Sequence, residues 1–514
     1  MLTLIVLLSV IVIFIFLYKT SELMNRKILG ILIFIAAAIL VITAIHQYVR
    51  NRQPEYDARL LMLPLKIEED LDIQRSFLSY EIPTLLSHGL NQIVDKDIVI
   101  TPVEWTWKSL DKDSVFETKY IDQFMEKTDA SHCFQGRFSE QYDKYTLTYS
   151  IRTSGDESVA DTVTFTLSRL DSAIRKMTLT TANALKKDSY SAPIVTLSKS
   201  ANAITMTANA FLYYLRENYK TAGYFSTLAI GIDSLYARPY SVKAMIDYSK
   251  AIQLREVSED TSKPFFESMK RALLKSISLD STASQNYRLM GEYYIYDERW
   301  SLAESFLKKA HRLNPNNYHI YLALSRLHKF RYKTLGYDDE EDLYQKAISL
   351  NPCAEEAYLL LSDYYLYNNK RSESIRTLRE YLEINPKSVA SLMALGKIHI
   401  VRNDADEVED IFSEIIRLEP DNADAYYNLG VHHYNLENYE EAKKNFVLAI
   451  AIDDHVNSHL YLAYIHELEG NIESAIDHLR TRIRMRHGPE DEFAEEARKH
   501  LYKLIHSDST TLSP

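Results

Sequence analysis

The feature that most constrains the fold is a segment that recurs at a nearly fixed step through the second half of the chain. The residues that close successive units are Ser281, Pro315, Pro352, Pro386, Pro420 and Asp454. The steps between them are 34, 37, 34, 34 and 34 residues. A small residue also recurs once per unit, at Gly291, Ser325, Ser362, Gly396 and Gly430. Such a step is typical of helical hairpins that stack because none can bury its apolar face alone, so the sequence predicts a mostly α-helical solenoid.

The most regular unit, residues 423–454, places aromatic, leucine, glycine and alanine residues at helical spacing on both sides of a turn near Asn438. The period, the small residues and the closing proline together resemble the tetratricopeptide repeat family. Three extra residues near 334–341 enlarge the connection of one unit, and the unit at 457–489 is slightly out of register. We expect this α-solenoid to extend over residues 201–507, with a last helix at 490–506 that caps the array.

Composition limits the partners that this chain can bind. Its 514 residues carry a formal net charge of −12, whereas binding to nucleic acid needs a surplus of lysine and arginine. We therefore expect no nucleic-acid partner. The only two cysteines, Cys133 and Cys353, fall in different predicted domains, so a disulfide framework is not indicated.

Two apolar segments, residues 1–17 and 28–45, open the chain and are joined by a short polar turn. Segments of this length predict a transmembrane hairpin over residues 1–49. A cleaved signal peptide would need a basic start and a small-residue cleavage site, and neither is present. Positive charges flank the second segment on both sides, so charge bias sets the orientation only weakly. The short uncharged tail favours a tail outside the cytoplasm, which would place the remaining chain outside the cytoplasm as well.

Residues 57–187 alternate between strand and helix patterns. Strands are predicted at 59–67, 97–103, 133–140, 145–153 and 162–170, and helices at 76–93, 115–127 and 171–185. The opening LLMLPL, the central GRF and the YTLTYSI strand resemble the amino-terminal α/β domain of TolB and related envelope proteins. The resemblance implies a periplasmic domain of the kind that precedes tetratricopeptide repeats in membrane-anchored regulators. We expect any output of such a regulator to be delivered here by a separate partner.

The first helix of each repeat is expected to line the concave wall of the solenoid, where family members bind protein partners. The residues predicted for this wall are Arg288, Tyr296, Arg326, Lys329, Phe330, Tyr367, Lys397, Tyr427 and Tyr434. Aromatic and arginine enrichment is typical of partner-binding surfaces. The alternative is that Tyr296, Phe330 and Tyr367 complete the packing between repeats or pack against the α/β domain. Glu292 and Asp363 stand where chaperone-binding members use lysine and asparagine, which argues against that binding mode.

No residue pattern predicts catalysis, a cofactor or a metal ion. His432 and His433 are adjacent, and we expect their rings to point to different sides of a helix. The sequence therefore predicts a membrane-anchored, non-enzymatic scaffold or assembly subunit of an envelope complex that binds protein or peptide partners. The alternative is a regulator whose periplasmic domain senses a ligand or peptide and signals through the hairpin to a separate output protein. The oligomeric state is not predicted.

Overall fold

The computed structural model describes most of the chain from Ala58 onward. The residues that it describes are 58–67, 78–94, 98–106, 116–142, 144–153, 156–185, 197–255, 259–327, 329–485 and 491–507. All of them belong to one compact unit, which begins at Ala58. Within these ranges, no helix has both the length and the apolar character needed to cross a bilayer. The predicted transmembrane hairpin, residues 1–49, lies outside them.

A mixed sheet forms the first part of the structure. Its strands are β1 (Ala58–Met62), β2 (Lys66–Ile67), β3 (Ile98–Thr101), β4 (His132–Gln141), β5 (Lys144–Thr153) and β6 (Asp156–Phe165). The order across the sheet is β3-β1-β4-β5-β6, and β2 also pairs with β4. β1 is parallel to both of its neighbours, whereas β4, β5 and β6 form an antiparallel meander. β1 is therefore a central strand with its backbone bonded on both sides.

The side chains of β1 alternate between two hydrophobic clusters, as the two-residue period of a strand requires. Leu60 and Met62 join the main core of the α/β region, whereas Leu61 joins a second cluster on the other face. Both faces are covered, which explains why β1 is buried throughout. The predicted strand at 59–67 is interrupted at Pro64, which has no N–H to donate to a neighbouring strand.

Four helices accompany the sheet: α1 (Leu78–Ile93), α2 (Val103–Thr106), α3 (Thr118–Lys127) and α4 (Leu170–Leu185). α1 and α4 pack on the face that holds Leu60, and α3 packs on the face that holds Leu61. The strand predicted at 162–170 was placed too late, because β6 ends at Phe165. Leu167, Leu170 and Ile174 then enter the main core at helical spacing, so this segment forms a 3-10 turn followed by α4.

From Ala201 to Ser507 the described chain is helical. Its helices are α5 (Ala201–Leu215), α6 (Tyr219–Ile232), α7 (Arg238–Arg255), α8 (Glu259–Leu279), α9 (Ser284–Tyr296), α10 (Trp300–Leu313), α11 (Tyr318–Ser325), α12 (Lys329–Tyr332), α13 (Glu340–Leu350), α14 (Glu355–Tyr367), α15 (Arg371–Ile384), α16 (Val389–Arg402), α17 (Ala405–Leu418), α18 (Ala423–Asn435), α19 (Tyr439–Asp453), α20 (Ser458–Leu468), α21 (Ile472–Arg484) and α22 (Glu492–Ser507). They pair as successive hairpins, with α22 packed on α21. The short α12 lies between the paired helices α11 and α13, where the extra residues were expected.

In six of the hairpins, the residue one or two positions after the end of the first helix lies in the left-handed backbone region. These residues are Glu217, Glu298, Asn369, Asn403, Glu437 and Gly470. Around Glu437 the N–H of Asn438 donates to the carbonyl of His433, and the N–H of Glu437 donates to that of Tyr434. This is the Schellman arrangement, which satisfies the last carbonyls of a helix. Only one of the six positions is glycine, which explains why the sequence gives little sign of these turns.

The recurring small residues lie where the two helices of a hairpin touch. A Cβ atom added at Gly430 would lie 2.7 Å from the ring of Phe446, and one at Gly396 would lie 2.8 Å from the ring of Phe412. In the unit that carries Ser362, the hydroxyl of that residue bonds the hydroxyl of Ser374 at 2.7 Å. The period in the sequence thus reflects a close helix contact that is renewed in each repeat.

Candidate functional site

The α/β region is docked against the array by its second hydrophobic cluster. Leu61, Leu63 and Cys133 from the sheet share this cluster with Cys353, which precedes α14, and Ile384 of α15 packs against it. Both cysteine thiols are reduced and buried. Burial raises the pKa of Cys133 to about 12, so this thiol is protonated and unreactive. The two regions therefore form a continuous core.

Polar contacts join the same two regions. Arg59 of β1 donates to the carbonyls of Ser349 and Leu350, the last residues of α13. A cation at this position satisfies carbonyls that have no partner within the helix and opposes the negative end of its dipole. The side chain of Asn316 donates to the carbonyl of Ile98 at 3.1 Å. These bonds connect residues more than two hundred positions apart in the chain.

A buried ion pair and an aromatic contact extend this interface. The guanidinium of Arg238 on α7 contacts both carboxylate oxygens of Glu81 on α1, at 3.1 and 3.2 Å. Glu81 is almost fully buried, so its charge requires this partner. The Trp105 ring meets the Tyr318 ring edge-on, with centroids 4.9 Å apart. The early repeats therefore present part of their first-helix face to the chain's own α/β region, which was one of the two alternatives for the predicted wall.

A cavity of about 630 Å³ remains between the α/β region and the array. Its walls come from α1 and α2 on one side and from α5, α7, α9, α11 and α14 on the other. This volume is within the range that small-molecule sites occupy. Its position between two structural regions is also typical of ligand sites.

Two of the predicted wall residues, Arg288 and Arg326, line this cavity in a chain of alternating charges. Arg288 donates to one oxygen of Glu292 at 3.3 Å, and Arg326 donates to the other at 2.6 Å. Arg326 also donates to Glu356 at 3.0 Å and to the hydroxyl of Tyr248 at 3.2 Å. The buried Glu292 carboxylate is thus shared by two guanidinium groups. This network ties α9 to α11 and α14.

The electrostatics of the cavity follow from the same groups. The nearby carboxylate of Glu292 raises the pKa of Arg326 above its ordinary value. Burial lowers the pKa of His319 well below its ordinary value, and the two arginines lower it further. Burial also raises the pKa of Tyr248 to about 12. At neutral pH the cavity therefore presents the charged Arg326 guanidinium beside neutral imidazole and phenol groups, an arrangement suited to hydrogen bonding a polar molecule.

Three of the predicted aromatic residues pack between neighbouring helices. Tyr296 stacks on Phe266 with ring centroids 3.7 Å apart. Tyr427 and Tyr434 both meet the ring of Tyr461 edge-on, at 5.9 and 5.2 Å. All three are partly buried. The contact of Tyr296 fits the packing alternative that the sequence left open, and Tyr427 and Tyr434 pack between helices in the same way.

Two other predicted residues face solvent. The side chain of Tyr367, at the end of α14, is 89% exposed. Lys397 on α16 is also exposed. The side chains of Lys329 and Phe330 lie outside the described part of the structure. Of the nine residues predicted for one wall, the seven whose side chains are described therefore divide among the cavity, the repeat contacts and the open surface.

Sequence reasoning missed Arg59, Glu81 and Trp105, which hold the α/β region to the array. A signal for the first two existed, because each is a charged residue within a segment that is otherwise apolar. Burial of such a charge requires a partner, but its local sequence does not identify that partner. The partners here are 157 residues or more away along the chain.

The expectation that His432 and His433 point to different sides of their helix was wrong. One ligating atom from each ring lies within 4.8 Å of the other and of a carboxylate oxygen of Glu409. The helical step of about 100° separates the two Cβ atoms, but the long imidazole side chains converge toward α17. These three residues could hold a metal ion.

Comparison with known proteins supports the repeat assignment. Family models described as tetratricopeptide repeats match residues 355–388 and 423–455. Anaphase-promoting complex subunit 3 of Schizosaccharomyces pombe is 20% identical over 222 residues, which are 43% of this chain and 32% of that protein. The human Protein O-mannosyl-transferase TMTC3 is 22% identical over 185 residues, which are 34% of this chain and 16% of that protein. The chain spans about a third or less of the length of these two relatives.

Two crystal structures of MamA are similar to part of the chain. They are 20% and 19% identical to it, with TM-scores of 0.27 and 0.28. Each matches 33% of this chain, and the matched parts are 95% and 92% of the respective MamA chains. The family models, together with the succession of helical hairpins at a 34-residue step, show that this chain contains tetratricopeptide repeats.

Proposed function

We propose that this chain is a non-enzymatic interaction protein that binds a protein or peptide partner along the first-helix wall from α14 to α18. Tetratricopeptide repeats generally mediate protein–protein interaction and assembly. The earlier repeats use part of the corresponding surface to hold the α/β region. In the later repeats Tyr367 and Val401 remain exposed, which supports a binding surface there.

One observation carries this proposal. Tyr367 and Val401 stand 34 residues apart, at the same position of successive repeats, and they are 89% and 65% exposed. Large apolar side chains at equivalent positions of the neighbouring first helices α14 and α16 would form a short apolar line on the array. Such exposed surface marks interaction sites. Lys397, exposed between these two residues in the sequence, adds a positive charge beside this line.

The proposal includes the membrane anchor and the location. The apolar segments within residues 1–49 would anchor the chain to the bacterial inner membrane, and the α/β region and the array would lie in the periplasm. The similarity of residues 57–187 to the TolB amino-terminal domain supports that location. The chain would then act as a scaffold or accessory subunit of an envelope complex.

A photo-cross-linking residue at position 367 of the full-length chain tests the binding surface. In the matched control the cross-linking amino acid replaces Tyr224 on α6. Tyr224 is 62% exposed but lies on the second helix of its hairpin. We expect an adduct of defined mass from position 367 in native membranes and none from position 224. No adduct at position 367, or the same adduct from both positions, would contradict the proposal.

The cavity of about 630 Å³ favours a second candidate, a regulator that senses a small polar ligand or a short peptide. The charged network of Arg288, Glu292 and Arg326 supplies donors and acceptors for such a molecule. A thermal-shift screen of the full-length chain with amino acids and short peptides tests this function. A ligand should stabilise the wild type but not Ser249→Trp. The larger side chain would fill part of the cavity and leave the network of charged residues in place. Equal stabilisation of both proteins would place the ligand elsewhere.

A further inference from the structure

The contact between α17 and α18 brings together three groups that can bind a metal ion. Glu409 lies on α17, and His432 and His433 lie on α18. One ligating atom from each residue lies within 4.8 Å of the other two. Since α17 ends one repeat and α18 begins the next, these groups face each other across the boundary between repeats.

Two imidazole nitrogens at this boundary have no hydrogen-bond partner among the described residues. They are Nε2 of His432 and Nδ1 of His433, and both atoms are buried. The whole His432 residue is only 3% exposed. A buried polar atom without a partner bears the full cost of its desolvation, and in proteins such an atom commonly bonds an ion or an ordered water.

The preceding repeat offers an internal comparison. His399 occupies the position that His433 holds one repeat later, 34 residues on. The Nδ1 atom of His399 is bonded to the carboxylate of Asp404 at 2.8 Å. The residue that corresponds to Asp404 is Asn438, and Nδ1 of His433 is without a partner. The Nδ1 atom therefore has a hydrogen-bond partner in His399, whereas in His433 it has none among the described residues and can bind a metal ion.

We propose that Glu409, His432 and His433 form a binding site for a divalent transition metal ion, with Zn²⁺ as the ion that fits best. Two imidazoles and a carboxylate are a common protein ligand set for Zn²⁺, and a fourth position remains for water or for a side chain of a partner. Metal–ligand distances of about 2.0–2.2 Å place the donor atoms of a tetrahedral site about 3.4 Å apart. The exposed Glu409 side chain can rotate to bring its carboxylate closer to the two rings. The bound ion would link two successive repeats.

Titration of the metal-free, full-length chain with Co²⁺ and then with Zn²⁺ tests this site. We expect the visible absorption of tetrahedral Co²⁺, its displacement by one Zn²⁺ per chain, and a rise of the thermal midpoint with Zn²⁺. Glu409→Gln should weaken Zn²⁺ binding at least tenfold, and His433→Gln should do the same. Glu409 is exposed, so its substitution should leave the circular dichroism spectrum unchanged.

Two control variants distinguish this site from other histidines. His399→Gln changes the equivalent ring of the preceding repeat, and His459→Gln changes a ring that bonds His478 at 2.9 Å. Both should bind Zn²⁺ as the wild type does. The proposal is overturned if no Co²⁺ spectrum forms, if Glu409→Gln and His433→Gln bind Zn²⁺ normally, or if His459→Gln abolishes binding instead.

Discussion

Replacing Gly430 with alanine should destabilise the array, although alanine is the better helix former. The ideal Cβ atom would lie 2.7, 2.8 and 3.1 Å from three carbons of the Phe446 ring. Ordinary contact begins at 3.4 Å, so the ring must retreat by about 0.7 Å. It cannot do so freely, because Phe446 is fully buried and stacks on Tyr461 at 5.1 Å.

The size of the effect follows from two opposing contributions. Overpacking of a dense core costs about 1–3 kcal/mol, and three close contacts with a confined ring place this site near the upper end. Replacing glycine with alanine inside a helix raises the free energy of unfolding by about 1 kcal/mol. We therefore expect a net loss of about 2 kcal/mol in the free energy of unfolding for Gly430→Ala. Gly430→Leu should lose several kcal/mol, since it adds three further carbons to the same space.

Urea denaturation of the full-length chain, followed by circular dichroism, measures this loss. Gly223→Ala on α6 is the matched control, because the added Cβ would meet only the end of Lys250 at 3.7 Å. It should gain up to about 1 kcal/mol. In the double mutant with Phe446→Leu, the smaller side chain should recover part of the loss caused by Gly430→Ala. If Gly430→Ala proves as stable as Gly223→Ala, the close helix contact is not what maintains the 34-residue period.

Three further predictions concern other parts of the chain. Arg59→Met should lower the free energy of unfolding by about 2–3 kcal/mol, because two charge-assisted hydrogen bonds to the end of α13 are lost. The same substitution should raise the pKa of Lys346, which burial and Arg59 lower to about 8. An NMR titration would measure that change. Glu437→Gly should stabilise the chain to urea by about 0.5–1 kcal/mol, because it relieves a left-handed residue with a φ of 61°. Burial and the neighbouring His459 lower the pKa of His478 to about 4 from 6.5. Only the unfolded chain takes up this proton as the pH falls from 6.5 to 4, so the free energy of unfolding should drop by about 1 kcal/mol across that window, after allowance for solvent screening of a partly exposed ring. His478→Gln should remove this drop.

The repeat architecture was predictable because its cause is local and renewed in each unit. Gly396 and Gly430 are small where two helices of one hairpin meet, and this requirement recurs at the same step along the sequence. The strands of the α/β region were also predictable from their alternation, apart from the late placement of β6. Local patterning sufficed there because the alternation of a strand depends on which of its faces are buried and not on which strand it pairs with.

The docking of the α/β region on the array was not predictable in the same way. Arg59 meets Ser349 across 290 residues, and nothing in the local sequence of either residue encodes that pairing. Residue type was also a poor guide to the proposed binding wall. Tyr367 and Tyr427 are both tyrosines on first helices, yet one is open to solvent and the other packs against Tyr461. Exposure depends on the neighbouring repeat, which a single position does not specify.

The proposed binding wall is tested most directly by the Kd of the partner that cross-links at position 367, measured with purified proteins. Truncation of an exposed anchor residue should weaken binding at least tenfold, about 1.4 kcal/mol, without changing the fold. We predict this loss for Tyr367→Ala, with an unchanged thermal midpoint, and no loss for Tyr224→Ala on α6. Equal affinity of both variants and the wild type would contradict the account, as would a loss of affinity that only accompanies unfolding.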